Sequence, residues 1–163
     1  MARLPRLVLP GIAHHVIQRG NRRGQTFFED GDYVLYLDLL AESATKANVE
    51  IMSYCLMPNH VHIILIPSDE DGLCRTFGDV HRRYTGHINA RLRTTGHLWQ
   101  GRFGSVAMDG RVASIARVLE RVGDFGAYLR QEFDEDIAYD ALRRSEGSGR
   151  PIGAPEWIEE IEA

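Results

Sequence analysis

Apolar and polar positions along the chain alternate between two periods, and the changes of period mark out the elements. Ile12 to Arg19 is rich in β-branched residues and ends at Gly20-Asn21-Arg22-Arg23-Gly24, so it reads as a strand followed by a basic loop. From Asp30 onward, Tyr33, Leu37, Leu40, Ala41 and Ala44 follow helical spacing, which predicts an amphipathic helix closing near Asn48. Val49 to Met57 and His60 to Ile66 are apolar runs of strand length joined by Pro58-Asn59, a hairpin pattern ended by Pro67. Leu73, Phe77, Val80, Tyr84, Ile88 and Leu92 then step by threes and fours along a long helix, with Arg75, Arg82, Arg83 and Arg91 on its other side. Thr95-Gly96 breaks it, and Val106-Ala107-Met108 is a candidate fourth strand.

The resulting order is β-α-β-β-α-β, an α+β chain of the split βαβ, ferredoxin-like kind: an antiparallel sheet with two helices on one face. Beyond Asp109 the pattern is helical, from Val112, Ile115, Leu119 and Val122 through Ile137, Ala141 and Leu142 to a last short helix containing Trp157. The expected organisation is therefore a domain over 1–109 and a helical C-terminal tail over 110–163.

Charge sharpens that division. The whole chain of 163 residues sums to −4, but the sum conceals two basic blocks. Residues 1–23 carry five arginines and no acid, and residues 72–111 carry seven arginines against Asp79 and Asp109. Residues 112–163 carry six arginines against twelve acids, so the acidic tail masks a basic core. Arginine offers a planar fork suited to phosphates and stacks on bases, and clustered basic blocks matter more for binding nucleic acid than the total. No apolar segment is long enough to span a bilayer or read as a signal peptide, so the expected location is the cytoplasm, with nucleoid association when DNA is bound. Cys55 and Cys74 lack paired spacing and are expected to be small buried hydrophobes.

His60-Val61-His62 is the segment richest in chemistry. On a strand His60 and His62 project to one face, about 7 Å apart along the strand, where two imidazoles can converge on a divalent ion. Two core histidines would produce the same pattern. Ile64 and Ile66 share the histidine face, so part of that face must be covered.

Leu56-Met57-Pro58-Asn59-His60-Val61-His62-Ile63-Ile64-Leu65 resembles the signature of the single-tyrosine HUH transposases, in particular the REP-associated tyrosine transposase branch. His15 to Arg23, the Tyr84 to Asn89 stretch and Gly96 to Phe103 match the same family in the same order. The resemblance implies a ferredoxin-like domain that binds single-stranded or hairpin DNA. It also implies His60 and His62 as ligands of Mg²⁺ or Mn²⁺, a third ligand from a later helix, and a tyrosine that joins covalently to the 5′ phosphate during transposition.

The family's nucleophile helix, reading approximately Arg-Tyr-x-x-x-Asn-Pro-Val-Arg-Ala, is not found after Trp99-Gln100-Gly101-Arg102-Phe103. The text from Gly110 onward resembles the family's C-terminal tail, so an internal deletion at Asp109-Gly110 is expected. Tyr84 is the candidate substitute nucleophile, although its spacing with Phe77, Val80 and Ile88 also fits packing. Tyr128 and Tyr139 lie on the tail and fit structural roles. Arg19, Asn21, Arg22, Arg23, Arg82, Arg83, Trp99 and Arg102 are the candidate DNA contacts, with solvated turns, solvated helix faces or core filling as the alternative. Two readings follow: a metal-dependent nicking and joining transposase, or a catalytically defective DNA-binding remnant. A zinc deaminase fits poorly because no His-x-Glu with a Pro-Cys-x-x-Cys partner exists.

Overall fold

The structure, a computed structural model, describes residues 7–108. The tail over 110–163 and the deletion expected at its start lie outside the described residues. Six main elements follow in the expected order: β1 (His14–Arg19), α1 (Asp30–Lys46), β2 (Val49–Met57), β3 (His60–Pro67), α2 (Gly72–Leu92) and β4 (Gly104–Ala107). The strands form one antiparallel sheet in the order β2-β3-β1-β4, the ferredoxin-like arrangement. No helix among the described residues is long and apolar enough to cross a membrane.

Strand periodicity divides the central strands cleanly. Val16 on β1 and Val61, Ile63 and Leu65 on β3 face the helices, where they pack with Tyr36, Leu39 and Leu40 of α1 and Leu73, Phe77, Val80, Tyr84 and Ile88 of α2. Their cross-strand neighbours place His15, Ile17, Arg19, His60, His62 and Ile64 on the opposite face. That face is buried as well: Ile17, Ile64 and both histidines of β3 are at most 2 % exposed, as the apolar character of Ile64 requires. On β2 the alternation slips between Ile51 and Ser53, where a bulge inserts Met52. Without the extra residue, Ile51 and Leu56 could not both lie against the helix-side core.

A buried carboxylate ties the start of α1 to the end of α2. At the start of α1, the backbone N–H groups of Phe28 and Glu29 donate to Asp32 Oδ2 at 2.8 and 3.2 Å. From the end of α2, Arg91 donates both terminal nitrogens to the same carboxylate at 2.5 and 2.7 Å, and pairs also with Glu29. Burial pushes the Asp32 carboxyl up, but Arg91 and the two backbone donors outweigh it and hold the pKa below the usual value. The stabilisation is therefore present above the ordinary carboxylate range and lost as pH falls through the lowered pKa. Asp32→Ala removes an N-terminal cap and leaves Arg91 without its buried partner. Its melting temperature is expected to fall by roughly 5–10 °C, and an unchanged melting curve in calorimetry would contradict this account.

His14 is locked between two backbone groups: Nδ1 donates to Ile12 O at 2.8 Å, and Nε2 accepts from the Leu9 N–H at 3.1 Å. Protonation at Nε2 would break the second bond. Burial lowers the pKa, only partly offset by the bond to Ile12, so the unfolded chain takes up this proton first as pH falls below about 6.5. The urea midpoint is expected to drop between pH 7 and pH 5, and His14→Gln should make that step smaller without abolishing it, because burial also lowers the pKa of His15, His62 and His81. Neither cysteine is the buried hydrophobe expected: Cys55 is half-buried, and Cys74 is exposed on the solvent side of the first turn of α2.

Candidate histidine site and nucleic-acid loop

Three chain segments meet at one end of the sheet. Gly20 N donates to Asn59 O, Asn21 N to Leu98 O, and Gln100 N to Arg19 O, each at 2.8 Å. Pro58 O accepts from the backbone of Thr26 and Phe27, and Asn59 Nδ2 donates to Arg23 O at 3.3 Å. These bonds clamp the basic loop against the β2–β3 turn. Arg22 and Arg23 both adopt positive φ, 55° and 60°, a left-handed conformation that costs a non-glycine residue of order 1 kcal/mol. Asn21, Arg22 and Arg23 are left exposed side by side, where they can meet phosphates.

Arg19 stands directly opposite His60 in the β1–β3 register and shares its face of the sheet. The basic loop and the histidine pair are thus continuous, a relation that depends on strand register and not on sequence distance.

The histidine pair is held at both rings. His60 and His62 lie with ring centroids 5.1 Å apart and planes at 79°. His60 Nδ1 is 2.6 Å from Asn59 Oδ1, and His62 Nδ1 is 2.9 Å from His15 Nε2. Nε2 of His62 is buried and makes no hydrogen bond. Burial lowers the His15 pKa to about 4 and pushes that of His62 well below its ordinary value, aided by the neighbouring His15, His60 and Arg19. His15 and His62 are therefore neutral near pH 7, and a neutral imidazole is the form that binds a metal. No group of three His, Cys, Asp or Glu side chains is assembled for a metal among the described residues, so the pair makes an incomplete ligand set there.

The other expected residues divide by location. Arg102 is exposed in the loop before β4. Arg82, its side chain 73 % exposed, pairs with Asp79, and Arg83 pairs with Glu42 and Asp79, so both cations are engaged by carboxylates of α2 and α1. Trp99 is 6 % exposed, packed among Phe27, Tyr36, His81 and Tyr84, so of its two expected roles, base stacking and core filling, it takes the second. Tyr84 is fully buried on the helix side, and its hydroxyl donates to Thr26 O at 2.9 Å. Burial raises its pKa, and the sheet lies between it and the histidines, so it is a packing residue here. Sequence reading passed over Asn59 and His15 as site residues. Their signals were adjacency to His60 and the shared parity of His15 with Arg19, which acquire meaning only once strand register is known.

The described domain is thus a four-stranded antiparallel sheet with two helices on one face, a histidine pair on the other and a basic loop at its end. The profile of the family described as IS200-like transposase matches residues 9–120, and the chain belongs to that family. The match runs past Asp109-Gly110, where the change of segment was expected. Two solved structures share the fold. One is a REP-associated tyrosine transposase bound to a REP hairpin, 20 % identical, with a TM-score of 0.56 over 76 % of this chain and 74 % of the other. The second is a putative transposase from Deinococcus radiodurans R1, also 20 % identical, with a TM-score of 0.50 over 76 % of this chain and 98 % of that one. No protein of curated function matches the sequence.

Proposed function

We propose that this transposase-family chain binds single-stranded or hairpin DNA at the end of its sheet and processes it at a metal site built on His60 and His62. The observation that carries the reading is the buried Nε2 of His62, which has no hydrogen-bond partner although it sits on a sheet face shared with His60 and Arg19. Mg²⁺ or Mn²⁺ held there would polarise a scissile phosphate and offset charge as the phosphodiester is attacked. Arg19 supplies a guanidinium beside the same position. Asn21, Arg22 and Arg23 hold the strand leading into it, and Arg102 adds a cation from the neighbouring loop. Support for a hairpin substrate comes from the bound REP hairpin of the structurally similar transposase.

A second reading, a DNA-binding remnant that has lost its nucleophile, is favoured by the placement of the tyrosines. Among the described residues Tyr33, Tyr36, Tyr54 and Tyr84 all lie on α1, on α2 or at helix-side positions of β2, and none shares the histidine face. One incubation separates the readings: purified protein, a labelled single-stranded hairpin, and Mn²⁺ or EDTA, resolved on denaturing gels. A Mn²⁺-dependent covalent protein–DNA adduct that persists in Tyr84→Phe supports the enzyme with a nucleophile outside the described residues. Hairpin retention without any adduct removes the enzyme reading and leaves the remnant.

A further inference from the structure

We propose that Asn59 and His15 are positioning residues that fix the tautomers of His60 and His62, keeping the proton on each Nδ1 and the lone pair on each Nε2. The inference rests on the reading of the histidine pair as metal ligands, and extends it to the groups behind them.

The amide of Asn59 has one chemically sensible orientation. Its Nδ2 must donate to Arg23 O, since a carbonyl oxygen cannot, and this turns Oδ1 toward His60. Oδ1 can only accept, so the proton of the 2.6 Å bond belongs to His60 Nδ1. In the neutral ring Nε2 then carries the lone pair.

The second pair needs a further step, because either imidazole could donate. His15 Nε2 and His62 Nδ1 approach to 2.9 Å, closer than two stacked rings can come, with planes within 20° of each other. The contact is thus an edge-to-edge N–H···N bond and not ring stacking. If His15 donated, neutral His62 would carry its proton on Nε2, a buried donor with no acceptor. If His62 donates, Nε2 holds an unsatisfied lone pair, and an orphaned acceptor is tolerated more readily in protein interiors than an orphaned N–H. Donation from His62 Nδ1 to His15 Nε2 is therefore the favoured direction. It leaves the same nitrogen bare on both ligand rings.

The Nδ1 partners also restrain ring rotation. Asn59 is tied through its own backbone carbonyl to Gly20 N and through its side chain to Arg23 O, so the basic loop and the ring orientation of His60 are mechanically linked. His15 reaches His62 diagonally across β1 and β3, since its direct cross-strand partner is Ile64. Partners of this kind raise the affinity of a metal site without touching the ion.

The test uses the full chain, metal-free, labelled with ¹⁵N-histidine, and reads both ring nitrogens of each imidazole by long-range ¹H–¹⁵N correlation. His60 and His62 are expected to show protonated Nδ1 and bare Nε2. Mn²⁺ titration followed by the electron-spin signal of the free ion should then show roughly 10- to 100-fold weaker binding in His15→Phe and in Asn59→Leu. His15→Gln and Asn59→Asp, which keep an accepting oxygen, should recover most of it. A proton on Nε2 of either ring in the unsubstituted protein overturns the proposal whether or not the variants fold. Unchanged tautomers and Mn²⁺ affinity in folded His15→Phe and Asn59→Leu overturn it too. The expected tautomers with no Mn²⁺ binding in the unsubstituted protein would uphold the positioning and sink the metal reading.

Discussion

Gly20→Ala is expected to dismantle the basic loop. A Cβ at this position would stand 2.1 Å from the carbonyl oxygen of Gly24 and 2.8 Å from Thr26 Cγ2. The first neighbour is backbone, so no side-chain rotation relieves the contact and the turn from Gly20 to Gly24 has to open. Opening it breaks the bonds from Gly20 N to Asn59 O and from Asn21 N to Leu98 O that clamp the loop to the β2–β3 turn. Overpacking of this severity costs about 1–3 kcal/mol or more, read as a lower urea midpoint. Hairpin binding should weaken at least tenfold, and the slope of log affinity against log salt should shrink by about 1.4 if Arg22 and Arg23 each lose a phosphate contact on a single strand. Gly31→Ala on α1 is the control: nothing lies within 4 Å of its Cβ, and stability should be unchanged or rise by about 0.5–1 kcal/mol. Equal losses in the two variants would refute the account of the loop.

The second large effect concerns the histidine pair. His62→Ala is expected to reduce Mn²⁺-dependent processing of hairpin DNA by more than about 100-fold while leaving hairpin binding in EDTA within about twofold. The separation follows from the layout: the exposed side chains of Asn21, Arg22 and Arg23 are on the loop, whereas His62 is buried on the sheet, opposite Ile17. His62→Ala also frees His15 Nε2 from its bond, so the His62→Gln variant is needed beside it to separate lost packing from lost ligation. Comparable processing by all three proteins would remove the histidine pair from the chemistry. A large loss of EDTA binding in both variants would instead make the pair a support for the loop.

How much of this was legible in the sequence follows from the range of the forces involved. Element order and type were readable because the two hydrophobic periods are local: α2 was expected over Leu73 to Leu92 and spans Gly72–Leu92, and the hairpin strands end at the expected Pro58-Asn59 turn and Pro67. The fourth strand was placed two residues late, because Gly104 and Ser105 carry no apolar signal and join β4 only by pairing with Ile17 and Val16. The sharing of one face by His60 and His62 was equally local, fixed by the pleat of a single strand.

The histidine motif, the basic Gly20 to Gly24 turn and the family resemblance needed nothing beyond residue order, and residue order alone therefore determined the class of protein, its sheet and its candidate ligands. Tertiary structure decided which of the remaining candidates are available. Arg83 pairs with Glu42 of α1 only once the two helices pack together, and the choice between packing and contact with DNA for Trp99 and Tyr84 is made where the helices close over one face of the sheet. The register of β1 against β3 likewise sets Arg19 opposite His60 and brings His15 within a hydrogen bond of His62, 47 positions along the chain. Hydrogen bonds, ion pairs and ring contacts act over a few ångströms in space, and sequence separation carries no record of them until the chain has folded.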